Sequence, residues 1–329
     1  MNRDSVRHWR FRLILLLGCF VVFFVFVILP VLGSLLITNS RFQFRERGPK
    51  TPDAAGLAVT SAEFASQDGV SLRGWWNPGE PSKPVIIFVH GLNRSRVEML
   101  ERAADANRRG YGVLLFDLRN HGESGHAYTT IGIFESRDVC SASQFVKEKS
   151  GNRPQILWGV SMGASSAILA AKRCPGFVAI ISDSSFLSFR DTVAHHLTLL
   201  FRLPAFPIAN LIVAITSYRV GFDPDDGDVE AAVRDLTIPI LFIAGGADRR
   251  MPPSLAERMF KAAKNPVKQL LVIPGARHGE AFTTDRTTYL NSVYSFLMSV
   301  IVIRKNVERA ELEPYLKGLR FAINGAAHK

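Results

Sequence analysis

The pentapeptide Gly-Val-Ser-Met-Gly at residues 159–163 constrains the fold of this chain more than any other segment. It follows the apolar run 155–158 and precedes the small, helix-favouring residues 164–172. A strand that turns directly into a helix leaves room only for small residues two places before and after Ser161, and it strains the serine backbone. The pattern therefore predicts that Ser161 stands at the end of a buried strand. The first amides of the following helix would face any negative charge that develops there.

Two later strand-to-turn segments end in side chains suited to activating a serine. The apolar run 240–244 leads through a glycine turn to Asp248, and the β-branched run 270–273 leads to His278. A histidine can take the serine proton, and a carboxylate can orient that histidine. An upstream apolar run, 85–89, ends in His90, Gly91 and Leu92, whose loop can supply a backbone amide. We expect all four segments at one edge of a sheet.

These residues resemble the α/β-hydrolase superfamily over roughly residues 57–303. Within it, the sequence resembles single-pass, membrane-anchored α/β-hydrolase-domain proteins and serine-aminopeptidase-like hydrolases. The matching segments are His90-Gly91, 117–124, 159–163, 245–248 and 275–279. The resemblance implies a nucleophile elbow with Ser161 as nucleophile, His278 as general base and Asp248 as its orienting acid. It also implies that the amides of Leu92 and Met162 form the oxyanion hole.

Alternating strand and helix patterns predict an α/β fold with a mainly parallel central sheet and helices on both faces. Strands are predicted at 84–89, 112–117, 155–160, 177–182, 238–244 and 267–273, after an opening hairpin at 62–65 and 71–76. Helices are predicted at 95–109, 133–149, 162–173, 253–264 and 285–303. The interval at about 184–236, called the lid below, contains two short apolar helices separated by Pro204 and Pro207. They either cover the serine with an apolar entrance or pack on the core.

An uncharged apolar run at residues 13–37 is long enough to span a bilayer. It follows a basic leader, 1–12, and precedes a juxtamembrane linker, 38–56; a polar tail, 304–329, ends the chain. We predict a retained transmembrane helix, with a cleaved signal peptide or a lipidated Cys19 as the alternatives. Basic residues flank both ends equally, so their count does not orient the helix. The short leader favours a cytoplasmic N-terminus and a catalytic domain on the far side.

The charge and the cysteine content limit which classes of partner and cofactor are compatible with the sequence. The formal net charge is +11, but the basic residues are scattered and form no aromatic-interleaved patch, which argues against nucleic acid and favours anionic lipid head groups. The three cysteines, Cys19, Cys140 and Cys174, predict no disulfide framework. Cys140 and Cys174 are interpreted as small buried or half-buried apolar residues on helices. No metal-ligand spacing occurs, and no cofactor is expected.

The sequence thus predicts a membrane-anchored serine hydrolase that cleaves an ester or thioester, with a lipid-like or acyl-chain substrate. The alternatives are a serine-aminopeptidase-like peptidase and a non-catalytic binding protein of the same fold. Asp183, which follows the strand after Ser161, is the alternative triad acid. His90 and His121 are predicted to brace loops rather than to act in catalysis, and His195 and His196 to lie on the lid surface. Protein partners stay open.

Overall fold

The protein is described here by a computed structural model that covers residues 3–39, 48–304 and 306. The start of the predicted leader, residues 40–47 of the predicted linker and nearly all of the predicted tail lie outside these residues. The described part comprises one eight-stranded sheet, the helices that cover it, and a long N-terminal helix.

The strands form a single sheet in the order β1-β2-β4-β3-β5-β6-β7-β8. They are β1 Thr60–Ala65, β2 Ser71–Asn77, β3 Val85–Val89, β4 Gly112–Phe116, β5 Gln155–Val160, β6 Phe177–Asp183, β7 Ile240–Gly245 and β8 Lys268–Ile273. Each begins within two residues of its predicted start. Strands β1 and β2 form an antiparallel hairpin, β2 pairs antiparallel with β4, and the remaining pairs are parallel. The predicted fold class is confirmed.

Burial explains why the parallel strands are continuous apolar runs. Every residue of β3, β4, β5 and β7 is buried, because helices cover both faces of the sheet. Parallel strands also direct their carboxyl ends to the same edge of a sheet, so the loops that follow β3, β5, β7 and β8 meet there. That edge is called the catalytic edge below.

The described residues form eleven α-helices. They are α1 Arg3–Phe23, α2 Leu29–Thr38, α3 Leu100–Arg108, α4 Glu135–Ser150, α5 Met162–Arg173, α6 Phe189–Phe201, α7 Ile208–Val220, α8 Val229–Asp235, α9 Pro253–Ala262, α10 Ala281–Thr284 and α11 at 286–304. One core cluster joins the sheet to α4, α5, α8 and α9, and a second joins its other face to α3 and α11.

The N-terminal helix is long and apolar enough, by length and composition, to cross a membrane over Arg7–Thr38. A π-helical turn, Phe24–Ile28, connects α1 to α2. Most of the helix is exposed, but Pro30, Ser34 and Thr38 are buried. Their burial has a simple cause: α2 packs along lid helix α7.

The lid contains the two predicted apolar helices, α6 and α7, which pack on each other. Ile212 of α7 lies so close to Gly33 that a Cβ added to the glycine would be 2.9 Å from the Ile212 Cδ1 atom. Arg219 of α7 donates hydrogen bonds to the Ser34 carbonyl oxygen, at 3.0 Å, and to the Thr38 hydroxyl. The lid is therefore joined to the N-terminal helix as well as to the domain core.

The expectation that Cys140 and Cys174 are unpaired is wrong, because they form a disulfide. Cys140 lies within α4 and Cys174 directly follows α5, and their Cα atoms are 5.9 Å apart. Helices α4 and α5 pack side by side, which brings together two residues that are 34 positions apart in sequence. Only this tertiary packing pairs them, since their spacing matches no local motif. Their predicted burial was correct.

Candidate active site

Ser161 occupies the turn between β5 and α5 in the strained conformation that the sequence predicts. Its φ and ψ are 53° and −120°, a positive φ that side chains rarely adopt. A Cβ at Gly159 would lie 2.4 Å from the Gly163 carbonyl oxygen. A Cβ at Gly163 would lie 2.2 Å from the Val89 carbonyl oxygen of β3. Both glycines are therefore required by the close approach of backbone, which holds Ser161 at the catalytic edge.

The structure brings Ser161, His278 and Asp248 into one hydrogen-bonded chain. His278 Nε2 lies 2.8 Å from Ser161 Oγ, and His278 Nδ1 lies 2.7 Å from Asp248 Oδ2. Asp248 is 3% exposed, and its other oxygen accepts hydrogen bonds from the amides of Arg250 and Met251. A carboxylate fixed in this way accepts the Nδ1 proton, so Nε2 is left to accept the serine proton.

Asp183, the alternative acid, takes part in a different network. It lies at the end of β6, is fully buried, and accepts hydrogen bonds from the Tyr289 and Ser184 hydroxyls. The Arg102 guanidinium is 3.9 Å away. Burial raises the pKa of Asp183, although the nearby Arg102 charge acts in the opposite direction. His278 is hydrogen-bonded to Asp248 and not to Asp183. The alternative acid is therefore not part of the hydrogen-bonded series that ends at Ser161.

The predicted oxyanion amides lie on either side of the serine. Among the described residues, neither the Leu92 amide nor the Met162 amide donates a hydrogen bond to another group. The amides next to Leu92 are both occupied: Gly91 donates to Glu98 Oε2 at 2.7 Å, and Asn93 donates to His121 Nε2 at 3.2 Å. The loop is thus held at both neighbours of Leu92 while the Leu92 amide is left available.

Two buried histidines hold this loop in place. His90 Nδ1 donates to the Gly91 carbonyl oxygen at 2.8 Å, and His90 Nε2 accepts from the Leu118 amide. His121 Nδ1 donates to the Arg119 carbonyl oxygen. Burial lowers the pKa of His90 to about 3 and also lowers the pKa of His121, so both rings are neutral near pH 7. Both act on loop structure, which agrees with their predicted bracing roles.

The segment after β4 supports the same loop through buried ion pairs. Arg96 donates to Asp117 Oδ2 at 2.9 Å, and Arg119 donates to Asp138 at 2.7 Å and to Asp68 at 2.7 Å. Asp68 is exposed, but Arg96, Asp117, Arg119 and Asp138 are buried, and these charges would be costly without their partners. The 117–124 segment therefore has a structural role: it holds His121 in the position where His121 Nε2 accepts a hydrogen bond from the Asn93 amide of the oxyanion loop.

A cavity of about 280 Å³ opens beside Ser161 and His278. It is lined by three glutamates, Glu98, Glu101 and Glu280, and three arginines, Arg94, Arg102 and Arg250. Its apolar wall includes Leu92, Val97, Val160 and Phe282. Among the described residues the lining contains no side chain of the lid, 184–236, so the predicted apolar entrance formed by the lid is not the wall of this cavity.

The charged residues of this cavity were missed in the sequence. The signal that could have found them is their spacing: Arg94, Glu98, Glu101 and Arg102 recur at helical intervals directly after the oxyanion loop. Such spacing also occurs on any solvated helix surface, so it does not by itself indicate a site. Only the fold turns this helix start towards Ser161.

The lid contacts the catalytic edge through α6. His195 Nε2 lies 3.1 Å from the Arg249 carbonyl oxygen, and the Arg250 guanidinium lies 3.4 Å from His196 Nε2. Both arginines belong to the turn that follows Asp248. Burial lowers the pKa of His196 to about 4, so it is neutral near pH 7. Within the described part of the chain, no group of three or more His, Cys, Asp or Glu side chains is arranged to hold a metal ion.

Comparisons with known proteins find similar sequences and a similar fold. A family model described as serine aminopeptidase, S33, matches residues 80–218. The Bacillus subtilis protein YqkD is 29% identical over 244 residues, or 73% of this chain and 80% of that protein. Human ABHD12B is 27% identical over 260 residues, or 74% of this chain and 65% of that protein.

A solved structure gives the same assignment at the level of the fold. The esterase PF2001 of Pyrococcus furiosus superposes with a TM-score of 0.65 at 25% identity, covering 78% of this chain and 97% of the esterase chain. The chain has the α/β-hydrolase fold and is similar to hydrolases of that superfamily, an esterase among them. Fold membership leaves the substrate open, because this fold is compatible with many chemistries.

Proposed function

We propose that the protein is a membrane-anchored serine hydrolase that cleaves an ester or thioester of a lipid-like or acyl-chain substrate. The observation that carries the proposal is the hydrogen-bonded chain from Asp248 through His278 to a strained Ser161. The available amides of Leu92 and Met162 add to it. The three side chains come from separate loops, and their joint alignment is the geometry that nucleophilic catalysis requires.

The reaction proceeds in two steps. Ser161 Oγ attacks the carbonyl carbon of the substrate while His278 Nε2 takes the hydroxyl proton, and Asp248 stabilises the resulting imidazolium. The tetrahedral intermediate collapses, and His278 gives the proton to the departing alcohol or thiol. Water then attacks the acyl-enzyme, with His278 again accepting a proton. The acid product leaves, and the proton returns to Ser161 Oγ.

The amides of Leu92 and Met162 would stabilise the negative oxygen of each tetrahedral intermediate. Donors of this kind act on charge that is larger in the transition state than in the substrate, so they accelerate the reaction rather than only bind substrate. Loss of one donor typically costs about 3–4 kcal/mol in comparable sites. The fixed amides of Gly91 and Asn93 on either side keep the Leu92 amide in position.

An ester or thioester is favoured over a peptide by the state of the cavity carboxylates. An aminopeptidase needs a carboxylate that is free to bind the substrate ammonium group. Glu98 already accepts from the Gly91 amide and lies 3.6 Å from Arg94, and Glu101 lies 3.4 Å from Arg286. The match to a model named for serine aminopeptidases and the presence of three glutamates keep the peptidase as a second candidate.

We further propose that the N-terminus is cytoplasmic, that the N-terminal helix anchors the chain, and that the folded domain lies on the far side of the membrane. The Cys140–Cys174 disulfide supports this orientation, because disulfides persist in oxidising compartments and are rare in the cytosol. The membrane is thus the proposed partner of the N-terminal helix, and lipid-borne acyl groups are the proposed substrates. Nucleic acid is not proposed as a partner.

Labelling with a fluorophosphonate probe tests the activated serine. We expect the wild-type chain in membranes to be labelled and Ser161→Ala to be unlabelled. Ser165→Ala is the matched control: Ser165 lies one turn later on α5, is buried and pairs with Ser185, so its loss should leave labelling intact. Labelling of Ser161→Ala, or of neither wild type nor control, would reject Ser161 as the nucleophile.

Substrate class is tested on the same membranes. We expect hydrolysis of p-nitrophenyl acyl esters and acyl thioesters, with little release from aminoacyl p-nitroanilides. Faster cleavage of the anilides would favour the peptidase. Labelling without turnover of either class would favour a binding protein that has kept its serine turn.

A further inference from the structure

The turn between lid helices α6 and α7 exposes a group of large apolar side chains. We call residues 200–206 the lid tip. Leu200 and Phe201 are each 62% exposed, and Phe206 is 78% exposed. Several large apolar side chains exposed within seven consecutive residues are costly on a soluble surface, and groups of this kind usually contact a partner or a membrane. None of the three lines the cavity at Ser161.

The direction of α7 follows from its contacts with the N-terminal helix. Near the middle of α7, Ile212 packs on Gly33, and near its end Arg219 bonds to Ser34 and Thr38. Helix α7 also contacts the earlier turn Phe24–Ile28. Higher residue numbers on α7 therefore match higher residue numbers on the N-terminal helix. The two helices run in the same direction, and the start of α7 points back along the apolar run.

The direction of α7 gives the position of the lid tip along the axis of the N-terminal helix. Ile208, the first residue of α7, precedes Ile212 by four residues, or ~6 Å along a helix axis. The lid tip directly precedes Ile208, so it lies beside residues near the turn Phe24–Ile28, inside the apolar run 13–37. A helix that spans a bilayer carries these residues within the hydrocarbon layer.

The contact between α7 and the N-terminal helix has the composition of a membrane interface at its Arg219 end. The polar groups of Ser34, Thr38 and Arg219 meet there, and the Arg219 guanidinium lies 5.2 Å from the centre of the Tyr128 ring. Tyr218 is also exposed at this end. Tyrosine and arginine concentrate at the level of lipid head groups. Polar groups thus lie at one end of α7, and exposed phenylalanines lie at the other.

We propose that the lid tip enters the leaflet on the side of the folded domain, beside the N-terminal helix, as a second membrane-embedded element. The proposal rests on the membrane anchoring proposed above. A depth of about 5–10 Å, typical of interfacial helices, is enough to bury Leu200, Phe201 and Phe206. Arg202, the one charged residue at residues 200–206, is exposed and can extend its guanidinium to the head groups.

A lipid layer is the favoured occupant because the apolar surface of the lid tip lies beside that of the N-terminal helix. Val31, Leu32 and Leu36 on that helix are exposed as well. Any other partner would have to enter the same layer that the helix itself occupies. A second copy of the chain is the competing occupant, and the experiment below separates the two.

Depth-dependent quenching tests the proposal on the full chain. Cys19→Ser removes the one free cysteine of the described residues, since Cys140 and Cys174 are paired. In that background, single cysteines replace Phe206, Val21 or Ser82 and carry an environment-sensitive fluorophore. Val21 is exposed within the apolar run, and Ser82 is exposed before β3, at the edge of the sheet opposite the lid. The chains are reconstituted in phosphatidylcholine–phosphatidylglycerol nanodiscs with and without doxyl-labelled lipid.

We expect strong quenching by doxyl lipid at positions 21 and 206 and none at position 82. Quenching at 21 but not at 206 would overturn the lid-tip proposal and leave the anchor standing. Quenching at neither would reject the anchoring itself. A label at 206 that is shielded from water but unquenched by lipid, and that cross-links to a second copy, would also overturn the proposal.

A functional readout uses Phe206→Glu, with fluorophosphonate labelling to establish that the variant is folded. We expect a several-fold loss of turnover on an ester embedded in vesicles and an unchanged rate on a short water-soluble ester. Equal rates on the embedded ester for variant and wild type would contradict a membrane role for the lid tip. Tyr218→Glu, at the interfacial end of α7, is the matched control and should have the smaller effect.

Discussion

The catalytic edge and the lid are held in place by different kinds of interaction. At the catalytic edge, the fully buried strands β5 and β7 lead to Ser161 and Asp248, and the outermost strand β8 leads to His278. The turn at Gly159 and Gly163 is fixed because a Cβ added at either glycine would lie closer than 2.5 Å to backbone. The lid is attached by side chains: its helices pack on each other, on the domain core and on the N-terminal helix outside the sheet. The position of Ser161 thus depends on close backbone contacts, and the position of the lid depends on side-chain packing.

This difference separates what each region controls. Backbone that is over-determined by close contacts can hold a strained serine, since the strain is offset by the surrounding fold. The lid lacks such backbone contacts with the serine turn, and side-chain packing on the core and on the N-terminal helix sets its position. Substitutions at the catalytic edge should therefore change the rate for every substrate, and substitutions at the lid should change rates selectively.

The largest expected effect separates the two buried acids of the catalytic edge. We expect Asp248→Asn to lower kcat by about 10⁴-fold, the size seen when the acid of such a triad is replaced, because an amide does not hold the histidine tautomer. Asp183→Asn should retain most activity but unfold at lower temperature, since Arg102 loses a buried partner. Hydrolysis of a short p-nitrophenyl ester and thermal unfolding measure both. Equal kinetic losses in the two variants would contradict the assignment of the acid.

An intermediate effect is expected at the oxyanion loop. Glu98→Ala removes the acceptor of the Gly91 amide and lets the Leu92 amide move, which should lower kcat by about 10-fold to 100-fold with little change in KM. Glu98→Gln keeps an acceptor and should recover part of the rate. Glu101→Ala is the control, because Glu101 lines the same cavity and pairs with Arg286 rather than with the loop. A larger loss in Glu101→Ala would show that the loop bond is not the cause.

A smaller and selective effect is expected where the lid meets the N-terminal helix. Arg219→Ala removes hydrogen bonds to Ser34 and Thr38. A hydrogen bond with a charged donor contributes at most about 3 kcal/mol to stability. We expect a several-fold loss on a vesicle-embedded ester and no loss on a soluble one. Arg190→Ala, which removes an exposed ion pair with Asp225 on the same lid, should change neither. Equal losses on both substrates would place the lid in the chemical step.

The smallest effect concerns pH. The pKa of His196 is lowered to about 4 in the folded chain, against 6.5 for an unperturbed histidine. As the pH falls below 6.5, the unfolded chain takes up this proton first, so the free energy of unfolding decreases between pH 6.5 and pH 4. When the pH is lowered from 7 to 5, we expect the Tm of His196→Gln to decrease less than the Tm of the wild type. His195→Gln, a change at its exposed neighbour, is the control; parallel curves for all three chains would contradict the expectation.

The sequence predicted the strand ends that carry Ser161, Asp248 and His278 because most of their constraints are local. Gly159 reflects a backbone contact with Gly163 a few residues away, although Gly163 itself faces Val89 of β3, and each apolar run matches one strand. The order of Ser161, Asp248 and His278 then needs only the rule that parallel strands end at one edge. The roles of these residues remain predictions, and the structure adds the distances on which their tests depend.

The missed features depend on contacts between distant segments. The Cys140–Cys174 bridge requires α4 to lie beside α5, and the packing of α7 on α2 joins residues about 180 positions apart. Glu98 acquires a function only because its helix start turns towards the oxyanion loop. None of these pairings follows from periodicity, since periodicity reports which face is buried but not what covers it.

The disulfide has a consequence for the covalent topology of the chain. It closes a ring that begins at Cys140 and ends at Cys174, and Ser161 lies within that ring. A single protease cut inside the ring leaves the two fragments joined, whereas a cut elsewhere separates the chain into two. In the chain-entropy model, a ring of this length restricts the unfolded polymer by about 4 kcal/mol. One cut in the segment that carries the serine therefore does not separate the serine from the rest of the chain.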